Sequence, residues 1–505
     1  MDENQKNLTH MKLIKSMFIA AVLSAGAISE ASAQNIVFSA YLAPDGAVHT
    51  STPSVTDKQG NIFVAGGTRG GLKVTNDAFQ KSYKGHTDED ATGGDAFLMK
   101  LSPEGKLIYS TYIGGSGSEN YCLKMAIDEA GNVYVGVTTD SRDLPVSGDA
   151  VQKSLKGEND HYIIKFSNDC RYIASTYVGG SESDHWTRLA FHDKILYLIG
   201  KTTSSDFPVS QGAFQKAYDN SSPPDSLHRF DVGDITITAL SPDLDKILYS
   251  TYLGGKSIDH VRSVSFGMKG KIILTGQTYS ANFPVTKNAY QKSMAGTQDG
   301  FFTIVSKNLS GIEYSTFIGG DSTDQVNSVF VENADQCILA GQTKSPDFPV
   351  TANALNKRYL GGKSDGFIMK FNLKTNKPEY SSFIGGSRTD WMNYVSKTEN
   401  QKYVLVGTSS SRDFPVTKDA LFSTISGGMD LVILTLDNTL RKLEYATYSG
   451  GSKQIVVDPD ARYIKGGVLQ ISSLCISPDF PAMLRYAEPD STWTNCIWKL
   501  NLKQK

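Results

Sequence analysis

Aligned on a recurring Gly-Gly pair, the chain carries a chemically mixed set of side chains at one position. Five residues past the second glycine stand Asn120, His185, His260, Gln325 and Trp391, with His49 and Val456 at the same place in two further copies. A position serving only the scaffold would repeat one residue type, as its neighbour does in Glu119, Asp184, Asp259, Asp324 and Asp390. Close by are Tyr121, Trp186, Arg188, Arg262, Asn327 and Asn393. Imidazole titrates near neutrality and can take or give a proton. Guanidinium groups neutralise a carboxylate and the charge that grows on it during reaction. Indoles and amides hold a polar ligand by stacking and hydrogen bonding. His185, His260, His49, Tyr121, Arg188 and Arg262 are therefore the candidate catalytic set. Asn120, Gln325, Trp391, Trp186, His228, Arg229, Asn327 and Asn393 are the candidate substrate-binding set, with His228 and Arg229 on a long insertion, roughly Asp219 to Asp234, able to fold over the others.

Each of these residues has a plainer reading. The mouth of a channel is wet, so a polar side chain there can be merely solvated, and Trp186 and Trp391 can be buried rings instead of sugar platforms. The repeated acids are expected to be structural, because a short acid after a Gly-Gly turn bonds nearby backbone amides. His49, His185 and His260 could converge on a divalent metal, although the sequence requires no cofactor. No calcium loop, phosphate-binding loop, dinucleotide fingerprint or Gly-x-Ser-x-Gly elbow is present.

The elements that must position these groups follow from three repeated phrases. The first is Tyr-Ser-Thr-Tyr-Ile-Gly-Gly from Tyr109, with copies beginning at Ser175, Tyr249, Tyr314, Tyr380 and Tyr445 and a worn copy at Phe38. The second is Asp-Phe-Pro-Val-Thr followed by x-x-Ala-aromatic-Gln, around Pro145, Pro208, Pro284, Pro349, Pro415 and Pro481, with a worn copy at Leu72. The third is an acid before an alternating apolar run, as in Asp95-Ala-Phe-Leu-Met-Lys-Leu. Copies of the first phrase with an intact Gly-Gly lie 65 to 75 residues apart. Each unit holds four alternating runs, so seven units predict an all-β, seven-bladed propeller of four-stranded antiparallel blades. The aromatic leading the first phrase is expected in the core of every blade. Residues 36–41 match a fourth strand and residues 494–500 a third, so the N-terminal strand is expected to complete the last blade and close the ring.

These phrases resemble the SBBP (seven-bladed β-propeller) repeat family of exported bacterial proteins, over essentially the whole chain after residue 33. The resemblance implies the fold and export but no single activity.

Composition narrows the rest. With 50 Lys+Arg against 52 Asp+Glu, the net charge of −2 supplies no basic excess for nucleic acid. Five scattered cysteines make no disulfide framework, leaving only Cys475 and Cys496 open as a pair. Lys12 and Lys15, an apolar run from Met17 to Ile28 and Ala31-Ser32-Ala33 have the order of a signal peptide, with Met11 an alternative start. Residues 1–33 are thus expected to be removed, leaving residues 34–505 as one propeller domain without an integral membrane segment, in the periplasm or outside the cell.

The functional expectation is a carbohydrate-active enzyme, a polysaccharide lyase acting on an acidic glycan by β-elimination. That reaction needs a cation for the carboxylate, a near-neutral base and an acid for the leaving oxygen, and Arg188, Arg262 and Arg229, His185 or His260, and Tyr121 or the remaining histidine match those roles. The set is similar to the His/Tyr/Arg equipment of propeller-fold polysaccharide lyases. The alternatives are a non-catalytic propeller binding glycan or protein, a glycoside hydrolase, which needs two carboxylates flanking the bond, and a purely structural repeat protein.

Overall fold

Alternation of apolar and polar residues, interrupted by tight turns, builds seven sheets, antiparallel throughout except where the short strand Leu484–Arg485 joins in parallel. The computed structural model describes residues 36–43, 52–85, 94–119, 121–219, 233–451, 459–464, 466–475, 484–485 and 494–502. Six sheets have four strands in sequential order; blade 3, for example, runs Asp184–His192, Ile195–Thr202, Asp234–Leu240 and Ile247–Leu253. In each blade from the second to the sixth, the first strand packs against the first strand of a neighbour, so the first strands form the inner wall of the ring.

The last blade is completed from the other end of the chain. Ile36–Ala43 pairs antiparallel with Thr494–Asn501, in a register that sets Tyr41 opposite Cys496. A two-residue strand at Leu484–Arg485 adds to the outer edge of Ile36–Ala43, giving this blade five strands. Blade 7 then meets blade 1 through Thr52 Oγ1 to Asn495 Oδ1 at 2.8 Å and the Ser54 amide to Asp460 Oδ2 at 3.0 Å. Cys496 is a thiol there, directed at the Thr494 carbonyl 3.3 Å away.

The repeated phrases each have a hydrogen-bonding task. The Pro-Val-Thr segment runs along the outermost strand: the Thr286 amide donates to Ser315 O, Thr351 to Ser381 O and Thr417 to Ala446 O. Each blade's open edge is thereby covered. The leading aromatic of the first phrase is buried at Tyr109, Tyr314, Tyr380 and Tyr445, as expected, and its hydroxyl accepts an amide of that covering segment at Phe79, Tyr290 and Leu355 in the first three. Blade 3 departs from the rule. Tyr249 is 38% exposed, so this tyrosine is a surface residue and not a core one.

Candidate functional site at the inner strands

Four of the sequence candidates occupy the same place. His185, His260, Gln325 and Trp391 are the second residues of the innermost strands of blades 3 to 6, which span Asp184–His192, Asp259–Phe266, Asp324–Asn333 and Asp390–Lys397. His49, Asn120, His228 and Arg229 lie outside the described residues, and of Tyr121 only the backbone is described, paired with Thr138 in blade 2.

The acid that begins each inner strand is structural. Asp184 Oδ2 accepts from the Gly180 amide at 2.7 Å and Ser204 Oγ at 3.1 Å. Asp259, Asp324 and Asp390 repeat the pattern with Gly255, Gly320 and Gly386, and Glu119 does so with Gly115. Burial, opposed by these bonds, pushes Glu119 and Asp184 up to about 7 and Asp259, Asp324 and Asp390 up to about 6. These carboxyls clamp the Gly-Gly turn.

Just beyond the acid, each strand bulges. The register against the second strand slips between His185 and Arg188, Val261 and Ser263, Val326 and Ser328, and Met392 and Tyr394. Trp186, Arg262, Asn327 and Asn393 are the residues skipped, and a bulge re-aims such side chains. Glycine on the second strand makes room for it: a Cβ on Gly276, Gly341 or Gly407 would collide with the carbonyl oxygen of His260, Gln325 or Trp391 respectively. In blade 3 the bulge is wider, and Trp186 takes φ = 62°, a left-handed backbone that a bulky residue rarely adopts.

Blades 3 and 4 concentrate positive charge here. The Trp186 indole meets the His260 imidazole edge-on, with ring centroids 4.3 Å apart. Arg188 Nε donates to Val261 O at 2.8 Å, and Arg262 Nε to Gln277 Oε1 at 3.3 Å. His260 is 5% exposed, its Nε2 is buried with no hydrogen-bond partner among the described residues, and it is held neutral: burial first, then Arg262, Lys201, Arg188 and His185, drive its pKa well below the ordinary histidine value. His185 is half-buried.

Two residues missed in the sequence belong to this cluster. Lys201, only 1% exposed, stands opposite His185 across the first two strands, where blades 4 to 6 have Gln277, Gln342 and Thr408. Its signal was available, one residue before the Thr or Ser that pairs with each inner acid. The other is His161, second residue of the blade 2 strand Asp160–Phe166 and wholly buried. Its Nδ1 lies 2.8 Å from Thr187 Oγ1 inside the blade 3 bulge, its ring packs against Gly200, and burial lowers its pKa to about 3.

Blades 5 and 6 carry no charge at the matching positions. Gln342 Nε2 donates to Gln325 Oε1 at 2.8 Å, Asn327 Nδ2 to Met392 O at 3.1 Å, and Trp391 Nε1 to Ser364 Oγ at 2.8 Å. Among the described residues no group of three or more His, Cys, Asp or Glu is arranged to hold a metal ion.

Comparison with known proteins identifies the repeat. The SBBP family, described as a β-propeller repeat, matches residues 108–145, which hold a complete Tyr-Ser-Thr-Tyr-x-Gly-Gly phrase and the strands that follow it. The chain carries the SBBP repeat. No curated protein matches it in sequence. Among solved structures, a Dyadobacter fermentans protein of unknown function aligns at 12% identity over 93% of this chain and 99% of that one, TM-score 0.39. A polysaccharide lyase, Uly1, aligns at 10% identity over 92% and 91%, TM-score 0.45, and an α-L-arabinofuranosidase from Fusarium graminearum at 11% over 74% and 91%, TM-score 0.39. Likeness at this level carries no argument about activity. Among the described residues no helix is long and apolar enough to cross a membrane.

Proposed function

We propose that this SBBP-repeat propeller is an exported polysaccharide lyase that binds a uronic acid over blades 3 and 4 and cleaves beside it by β-elimination. The observation that carries the reading is the cluster of Arg188, Arg262 and Lys201 around His185 and His260, with the neighbouring acids Asp184 and Asp259 committed to the Gly-Gly turns. A concentration of cations attracts an anion, and a carboxylate is the anion whose α-proton β-elimination must remove.

The roles divide by burial. Arg188, Arg262 and Lys201 neutralise the carboxylate and the enolate-like charge that grows on it. His185, half-exposed, is the base that takes the α-proton. His260, neutral and buried, orients the substrate through its imidazole. Tyr121, beginning the inner strand of blade 2, is the acid that protonates the departing glycosidic oxygen. A hydrolase is disfavoured, since the carboxyls near the site are buried and hydrogen-bonded within turns. The same cations also suit a glycan-binding protein without catalysis. Product chemistry separates the two: purified protein incubated with polyuronates is expected to release an ultraviolet-absorbing unsaturated uronate, and His185→Ala to abolish its release while binding persists. Saturated products, or binding with no product at all, would overturn the lyase. Export rests on residues 12–33, and N-terminal sequencing of the secreted protein is expected to find Gln34.

A further inference from the structure

The inner strands of blades 3 to 6 change character halfway along. At the second residue of the strand the series is His185, His260, Gln325, Trp391; at the bulge of blades 4 to 6 it is Arg262, Asn327, Asn393; opposite, on the second strand, it is Lys201, Gln277, Gln342, Thr408. Cations and imidazoles occupy blades 3 and 4, and amides, an indole and a hydroxyl occupy blades 5 and 6. The arc is continuous: Arg188 reaches the backbone of blade 4, the inner strands of blades 4 and 5 pack together, and Asn327 reaches the backbone of blade 6.

We infer that the ligand pairs a uronate on blades 3 and 4 with an uncharged sugar on blades 5 and 6, so that the substrate is a mixed glycan and not a homopolymer of uronic acid. The inference rests on the acidic-glycan reading above and adds the identity of the neighbouring residue. Bringing a second carboxylate against blades 5 and 6 would strip its water and return no cation, which is costly. Hydroxyl or acetamido groups lose little there, since amides both donate and accept. Gln342 Oε1 is a buried acceptor with no hydrogen-bond partner among the described residues. Trp391 is half-buried, and its N–H bond to Ser364 fixes the indole without side-chain freedom left to lose, as a platform for the apolar face of a sugar requires.

The test is calorimetric binding of two oligosaccharides of equal length, a homopolyuronate and one alternating uronate with N-acetylhexosamine, to the wild-type chain and to Trp391→Ala, Gln325→Ala and Arg188→Ala. The alternating ligand is expected to bind at least tenfold more tightly. Trp391→Ala and Gln325→Ala should each weaken the alternating ligand severalfold more than the homopolyuronate, and Arg188→Ala should weaken both ligands. Should Trp391→Ala unfold, shown by loss of its thermal transition, Gln325→Ala alone decides. Equal affinity for the two ligands, or an equal loss for both in the blade 5 and 6 variants, overturns the inference and leaves the uronate site standing. Binding of neither ligand, or indifference to Arg188→Ala, overturns the uronate site and the inference together.

Discussion

The Trp186 indole stands edge-on to the His260 imidazole across the boundary between blades 3 and 4, reaching it from a left-handed backbone that strains so large a residue. Burial is the first cause of the depressed His260 pKa, and this indole supplies part of it. Trp186→Ala is therefore expected to admit water and move the His260 titration upward toward the ordinary value. Imidazole carbon shifts followed by NMR across the pH range check this; an unmoved midpoint would show that Trp186 does not shield the ring.

Lys201 acts on the same imidazole by charge. Lys201→Met keeps the length of a buried chain and removes its cation. His260 should then titrate at higher pH, because protonating it no longer meets that repulsion. Polyuronate affinity should fall about tenfold, near 1.4 kcal/mol, with a shallower salt dependence. Unchanged affinity would remove Lys201 from the anion site.

Stability should fall as pH rises from 6.5 to 8. Glu119, Asp184 and Asp365 are pushed up to about 7 and Asp234 to about 8, each chiefly by burial. In this window the folded chain keeps protons that an unfolded one, titrating near pH 4, has already lost, so the folded state is penalised as they leave. His161 and His260 have lowered values and destabilise the fold only on the acid side, below the ordinary histidine range. Thermal unfolding at half-unit steps measures the slope, and Asp234→Asn should flatten it. A transition temperature rising over this interval would contradict these assignments.

A chain lacking Ile36–Ala43 should lose at least about 4 kcal/mol, because Phe38, Tyr41 and Leu42 are buried. The uncovered strand Thr494–Asn501 should then pair with another molecule. Denaturant unfolding and light scattering read the two effects, and a monomer of native stability would argue against closure through this strand.

The fold was legible because each repeated phrase has a backbone task that only certain residues perform. Threonine or serine after Pro-Val covers an edge, the acid after Gly-Gly clamps a turn, and the acid recurs in blades 2 to 6. The site was legible only where it sits on the phrase that was aligned. His185, His260, Gln325 and Trp391 share an offset from Gly-Gly, whereas Lys201 reaches the site by cross-strand register, which that alignment does not display. His161 was hidden for a related reason: it is the second residue of a third strand, and the bulge holding Thr187 and the bare Gly200 of blade 3 draw its ring inward. Tyr249 shows the limit of the phrase itself, since the same letter lies in the core of four blades and at the surface of blade 3.

Closure of the ring also fixes when the molecule can finish folding. Thr52 and Asn495, 443 residues apart, share a hydrogen bond at the seam. A chain emerging from its N-terminus can assemble its middle blades as they appear, each from neighbouring residues, but the first strand must wait unpaired until the last has been made. The slow step is then a single long-range encounter that follows rapid local assembly. Until that encounter the protein is an open arc with one strand waiting at each end.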